Sequence, residues 1–234
     1  QDFVQAAYWT LRAAEQGSAH AQFNLGLSYA RGEGVAQDAT EAAKCIRKSA
    51  EQGYANAQAM LTQANWDGSG FEQDFVEAAK RYRLAAERGL AHARTNLGLA
   101  YSNGQGVPPD SVEAIKWYSR AANMGEAAAQ QNLADAYSRG RHVEQDPAKA
   151  AAWYRLAAEQ GNAQAQVNLG CAYATSRGVR QDFVKAYVWF FRAAELGLET
   201  AAENRDLAKS DITPVQLEAA LRLVDDWKRR RGGD

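Results

Sequence analysis

Two cysteines, Cys45 and Cys171, and four prolines are all that the 234 residues contain of either type. Two thiols so far apart make neither a disulfide framework nor a zinc cluster, so the chain must hold itself together by its core, and cysteine usage leaves the redox compartment open. Net charge is equally sparse. Lys+Arg 27 against Asp+Glu 28 leaves a formal charge of -1, which excludes a protein that holds nucleic acid or an anionic membrane by bulk charge. The longest uncharged run, Gln160 to Ser176, is 17 residues and carries Gln164, Gln166 and Asn168, so no segment reads as a membrane span. With 46% hydrophobic and 24% charged residues the chain is also no disordered polymer, and a packed core is expected.

What is present is periodic. Asp2, Asp38, Asp74, Asp110, Asp146 and Asp182 stand 36 residues apart, as do Gly17, Gly53, Gly89, Gly125, Gly161 and Gly197. A fixed period of this length signals a repeat architecture. Four residues after each Asp comes an alanine (Ala6, Ala42, Ala78, Ala114, Ala150, Ala186), a small side chain suited to close helix contact.

Within each period two helices are expected. Ala78, Tyr82, Ala85 and Ala86 form one apolar stripe between Asp74 and Gly89, and Ala93, Leu97 and Tyr101 form another. Asp caps the first amides, Glu41, Glu77 and Glu113 stand where capping-box partners would, and Gly ends the helix in a left-handed turn. The loops read GEGVAQD, GSGFEQD and GQGVPPD in the first three copies, with Val35, Phe71 and Val107 as core anchors. His142 fills a second-glycine slot in the fourth copy, which predicts backbone strain or a rebuilt loop, and Thr62, Ala134 and Ser176 fill other glycine slots.

The phase predicts helix A (Ala19 to Arg31), a loop, helix B (Asp38 to Gln52) and a turn. One solenoid domain results: an orphan helix B over 1–17, full repeats over 18–53, 54–89, 90–125, 126–161 and 162–197, and a cap over 198–234. Because Gln1-Asp2 matches the end of the loops at Gln37-Asp38 and Gln73-Asp74, further repeats upstream, and a fragment or processed product, are expected. In the cap, Thr213 as N-cap, Pro214 at the first helical position and Gln216 predict a helix with a buried stripe of Leu217, Leu221, Val224 and Trp227.

AQFNLGLSYARGEGVAQDATEAAKCIRKSAEQG and its copies resemble the Sel-one-like repeat, a longer-looped relative of the tetratricopeptide repeat, and the ITPVQ tail resembles the helix that closes bacterial members. The resemblance implies an all-α fold, a right-handed α/α solenoid of antiparallel helix pairs whose A helices line a concave surface that binds proteins or peptides. It also implies a non-catalytic scaffold. The alternative is a cell-envelope module that binds glycan or peptidoglycan fragments or supports an export or secretion complex.

On that geometry the groove-facing positions vary between copies, while Leu25, Leu61, Leu97, Leu133 and Leu169 do not. The candidate partner-binding residues are Phe23, Leu27, Arg31, Gln63, Trp66, Asp67, Leu99, Asn103, Gln131, Asp135 and Arg139, with Trp66 expected to stand exposed. Trp9, Trp117, Trp153 and Trp189 share one register and are assigned to the core. The regular Asn24, Asn96, Asn132 and Asn168 are expected to bond a neighbouring helix or loop.

The chemistry of an enzyme is missing: no serine opens an SxxK, and neither KTG nor GxSxG occurs. His20 and His92, two units and roughly 20 Å apart, cannot share a metal. Lys228 to Arg231 reads as a helix end complementing its dipole. The expectation is therefore a monomer without cofactor or metal, binding a protein or peptide and no nucleic acid, in the cytoplasm or, after removal of a signal, the periplasm or exterior.

Overall fold

The structure, a computed structural model, describes residues 2–67 and 74–231, and of Asp67 and Arg231 the backbone alone. The expected second loop, with Gly68, Gly70 and Phe71, lies outside the described residues. All regular structure among the described residues is helical. Helices α1 (Phe3–Glu15), α3 (Ala39–Glu51), α5 (Phe75–Glu87), α7 (Ser111–Ala122), α9 (Pro147–Glu159) and α11 (Phe183–Ala194) are the B helices. Helices α2 (Ala19–Arg31), α4 (Ala55–Asp67), α6 (Ala91–Asn103), α8 (Ala127–Arg139) and α10 (Ala163–Thr175) are the A helices, and α12 (Glu199–Ser210) and α13 (Pro214–Arg231) close the chain. This is the all-α repeat solenoid that the periodicity implies. Two compact units are distinguished, residues 1–85 with 103–109, and residues 86–102 with 110–234.

Each copy is closed by the same three contacts. First, the Asp that caps helix B gives its own amide to a carbonyl near the end of helix A: Asp38 to Tyr29, Asp74 to Asn65, Asp110 to Tyr101, Asp146 to Tyr137 and Asp182 to Tyr173, all at 2.9 to 3.0 Å. The second copy keeps this bond although Asn65 replaces tyrosine, because the backbone makes it. Second, the Asp side chain accepts from an amide three residues on, as Asp38 does from Glu41 and Asp146 from Lys149. The reciprocal half of the expected capping box is absent: Glu41, Glu77 and Glu113 turn outward to Lys44, Arg81 and Lys116 at 2.6 to 2.8 Å. An ion pair along the helix surface competes successfully with the return bond.

Third, one side chain of helix A reaches back eight residues to a carbonyl at the end of the preceding helix B that already accepts from the amide of the turn glycine. Gln22 donates to Ala14, Gln58 to Ala50, Arg94 to Ala86, Gln130 to Ala122 and Gln166 to Ala158. Gln52 and Gln160 then donate to the Oε1 of Gln22 and Gln130 at 2.7 and 2.8 Å. In the last copy the corresponding residue is Leu196, and Gln166 Oε1 has no partner although Gln166 is 1% exposed.

Packing explains the small residues. A Cβ at Gly26 would lie 2.7 Å from Ile46 and 3.1 Å from the carbonyl oxygen of Ala42, and at Gly98 the Tyr118 ring and the Ala114 carbonyl stand at 2.7 and 3.2 Å. The alanine four residues after each Asp is thus where helix B meets helix A. The invariant Leu25, Leu61, Leu97, Leu133 and Leu169 are all buried behind this contact. Where the loop carries a second glycine the approach is tighter. A Cβ at Gly34, Gly106 or Gly178 would fall 1.9 to 2.0 Å from the carbonyl oxygen of Phe3, Phe75 or Pro147. His142 and Ser176 nevertheless hold positive φ, 63° and 56°, so the fourth and fifth loops keep the glycine-type backbone with side chains present.

Three expectations need correction. Trp9 is 64% exposed with its ring edge-on to Tyr8 at 5.2 Å, whereas Trp153 packs against the buried cluster that includes Tyr118 and Leu133. Trp117, Trp153 and Trp189 are half-buried, Trp117 under Arg120 at 4.8 Å and Trp189 under Arg192 at 4.3 Å. In α13 the capping box forms as expected, Thr213 and Gln216 exchanging bonds at 2.8 and 3.3 Å. Leu221, however, is 43% exposed, and Ala220, fully buried, takes its place between Leu217 and Val224. Lys228 pairs with Glu195 at 3.9 Å and Arg229 with Asp226.

Two stability outcomes follow from these contacts. Gly178→Ala costs about 3 kcal/mol or more, since backbone must move, whereas Gly161→Ala, with nothing within 4 Å of the new methyl, costs about 1 kcal/mol for its φ of 89°. Urea midpoints followed by circular dichroism check the order; equal losses contradict it. Leu196→Gln supplies the missing donor to Gln166 and gains about 1 kcal/mol, or roughly 2 to 4 °C in Tm, and an unchanged or lower Tm contradicts it.

Candidate functional site

In the second unit, α8, α9 and α10 enclose a cleft of about 530 Å³. Asp135, Ser138 and Arg139 reach it from α8 at the i, i+3, i+4 spacing of one helix face, and Asn168, Cys171 and Thr175 reach it from α10 in the same way. Tyr154 enters from α9, and Gln145 and Arg177 enter from the loops after α8 and α10. Gln145 ties its loop back by donating to the Ser138 carbonyl at 2.9 Å, as Gln181 does to Ala174 at the same distance.

Asp135 is the centre of the polar network. Its Oδ1 accepts from the Tyr154 hydroxyl at 2.5 Å and from Asn168 Nδ2 at 3.3 Å, so three helices meet on one carboxylate. The local cause is the residue that faces the tyrosine. Tyr154 stands in the register of Tyr118 and Tyr82, and Asp135 supplies an acceptor where the third copy has Leu99. The second copy repeats the pattern: Gln63 stands at this position, and the Tyr82 hydroxyl donates to it at 3.3 Å.

Burial, then the bond to Asp135 and its charge, push the Tyr154 phenol above the ordinary tyrosine range, so it remains a donor. Burial likewise pushes the Cys171 thiol up, which keeps it protonated and a poor nucleophile. Cys45 and Cys171 are both free thiols. Among the described residues no group of His, Cys, Asp and Glu is arranged to hold a metal ion.

Of the residues expected in a groove, the structure brings Asp135 and Arg139 into this cleft. Gln131 is half-buried on α8 outside the lining. The others stand apart from it, each in its own setting. Phe23 packs on Tyr54 with ring centroids 5.3 Å apart, and His20 bonds the Tyr54 hydroxyl at 3.0 Å. Leu27 and Leu99 are half-buried, Arg31 pairs with Glu33 at 3.9 Å, and Asn103 donates to Gln105 at 3.0 Å. Trp66 is half-buried and not exposed as expected: its ring stands edge-on to Phe75 and Tyr82 at 5.4 and 5.7 Å. The Asp67 side chain lies outside the described residues. The asparagine ladder bonds its own helix rather than a neighbour in two copies, Asn24 to His20 and Asn96 to His92. Asn168 crosses to a neighbouring helix, donating to Asp135 at 3.3 Å.

Sequence reasoning missed Tyr154, Asn168 and Arg177. Tyr154 sits in a register that reads as core; the signal was the coincidence of an acceptor, Asp135, with a tyrosine nineteen residues later, as with Gln63 and Tyr82.

The Sel1 repeat family model matches six segments, 1–18, 19–54, 55–90, 91–126, 127–162 and 163–198. The chain belongs to the Sel1 repeat family. A Sel1 repeat protein from Oxalobacter formigenes is 32% identical, with 85% of this chain and 86% of that one aligned at a TM-score of 0.70. A protective antigen of uropathogenic Escherichia coli displaying an SLR fold is 31% identical at a TM-score of 0.58, over 97% of this chain and 56% of that one. An immunity protein from Pseudomonas aeruginosa shares the fold at 20% identity, with 84% and 75% covered and a TM-score of 0.51. A comparison with curated protein sequences found no match. Sel1 repeat proteins act in general as non-catalytic scaffolds for protein–protein interaction. No helix among the described residues is long and apolar enough to cross a membrane.

The tyrosines give a pH signature. Burial pushes Tyr118 up to about 12 and Tyr154 higher still. Relative to an unfolded phenol at about 10, both stabilise the fold fully below that pH, and the contribution is lost as pH rises through 12. A tyrosinate absorbance titration therefore shows a late fraction that Tyr118→Phe and Tyr154→Phe each reduce; ionisation of every tyrosine in one step near pH 10 contradicts this.

Proposed function

We infer that the protein is a non-catalytic scaffold whose α8–α9–α10 cleft holds a segment of a partner protein. The observation that carries this reading is Asp135, a half-buried carboxylate held by donors from two other helices in a cleft that also presents Arg139 and Arg177. Preset hydrogen-bonding groups beside uncommitted cations are what a peptide main chain and its side chains need. The size of the cleft suits a few residues of such a segment, and Asp135, Ser138, Arg139, Cys171 and Thr175 of its lining stand at positions that differ from copy to copy.

The remaining groove positions rank below these. Phe23, Arg31, Gln63, Trp66 and Asn103 already have partners within the chain, and Leu99 and Gln131 would serve as flanking contacts. Arg139→Glu reverses a charge on the exposed rim of the cleft and leaves the core intact. In pull-downs from the native host, the wild type and a surface control, Arg47→Glu on α3, recover the same partner, and Arg139→Glu loses at least nine-tenths of it. Equal recovery by Arg139→Glu overturns the assignment of the cleft.

A further inference from the structure

The charge of the loops differs sharply between copies. In the first copy Arg31 is answered by Glu33 at 3.9 Å, and in the third the loop carries the neutral Asn103 and Gln105. Arg139 ends α8, and the two loops that follow α8 and α10 carry Arg141, Arg177 and Arg180 with Glu144, Asp146 and Asp182. With Lys149 and Lys185, which answer the two aspartates, residues 139–149 and 176–185 hold a net charge of +3 (six bases less three acids) within a chain of net -1. Among the described residues none of these four arginines makes an ion pair, while the neighbouring Lys149 and Lys185 pair with Asp146 and Asp182 at 3.1 and 3.0 Å.

Two of the four, Arg139 and Arg177, line the cleft. Their loops are also the ones in which non-glycine residues hold left-handed backbone, His142 at φ 63° and Ser176 at φ 56°. Each such position costs about 1 kcal/mol or more relative to glycine, which occupies it in most other copies. Ser176 is directly bonded into the sequence before Arg177, and its hydroxyl donates to the Val179 carbonyl at 3.3 Å, tightening the turn that carries Arg177 and Arg180. Strain and unpaired cations thus coincide on one rim.

Resting on the cleft reading above, we propose that the occupant is an acidic peptide segment, with Asp or Glu carboxylates seated on Arg139 and Arg177. The arginine forks offer paired donors that match a carboxylate, and Arg141 and Arg180 on the same loops draw in a segment with more than one acid. Asp135 opposes an anion within the cleft itself. With Oδ1 engaged by Tyr154 and Asn168, its remaining lone pairs suit a main-chain amide, so the ligand presents N–H groups to Asp135 and carboxylates to the arginines. That split of donors and acceptors favours a peptide over a polyphosphate backbone, which has no N–H to offer.

The test is fluorescence anisotropy at 150 mM salt with a labelled twelve-residue peptide of alternating Glu and small polar residues. The comparison ligands are its Gln counterpart and a labelled single-stranded oligonucleotide of similar charge. The proposal expects saturable binding of the Glu peptide, at least ten-fold weaker binding of the Gln peptide, and at least a ten-fold loss for the Arg139→Gln/Arg177→Gln double variant, with Arg47→Gln within two-fold of wild type. No binding of the Glu peptide, equal binding by the double variant, or tighter binding of the oligonucleotide through the same arginines overturns it. If the double variant still loses the host partner in pull-downs while the Glu peptide does not bind, the acidic class falls and the cleft stands; if neither ligand nor host partner depends on these arginines, both fall.

Discussion

The fold rests on how closely one copy's loop approaches the first turn of the helix B before it. At Gly34, Gly106 and Gly178 the α-carbon lies so near a carbonyl oxygen that a methyl would stand about 2 Å away. No side chain fits between two backbones at that distance, and the fourth copy, with His142 in the slot, keeps the left-handed turn and the same Asp146 amide bond to Tyr137. The Asp amide bonded to the end of helix A and the small Gly and Ala residues where the helices meet complete the joint. The reach of Gln22, Gln58, Arg94, Gln130 and Gln166 to a carbonyl eight residues back then fixes the turn. These contacts are local in sequence, so each copy can form with its neighbours alone, as one-dimensional repeat stability requires.

Departures from the repeat are where chemistry enters. Asp135, where the third copy has Leu99, takes the hydroxyl of Tyr154. Gln63 takes that of Tyr82 in the second copy. His142 and Ser176 keep a backbone meant for glycine in the two loops that carry unpaired arginines. A scaffold built from identical units gains a distinctive surface only where the units stop being identical, and three of the four glycine departures fall around the α8–α10 cleft.

Much of the fold was legible without coordinates because the repeat copies constrain one another. Six aspartates and six glycines in register locate every helix B, and the helix A boundary at Ala19–Arg31 agrees with α2 residue for residue. The less legible features were those where two interactions compete for one group. Glu41 had a return bond and a lysine within reach, and the lysine won; Leu221 and Ala220 both fit the α13 stripe by spacing, and packing chose the smaller. Trp66 carried the signature of an exposed recognition residue, yet Phe75 and Tyr82 were near enough to take it.

The sequence alone determined the helices, their pairing and the alanine, glycine and leucine positions between them, since these follow from periodicity, caps and the space that backbone contacts leave. It also placed Asp135 and Arg139 on a surface that varies between copies. Tertiary structure decided that these two share a cleft with Tyr154, Asn168 and Arg177. Residues fifteen to forty-two positions apart come together only when three helices pack, and a one-dimensional pattern records register while leaving the depth and tilt of that packing open.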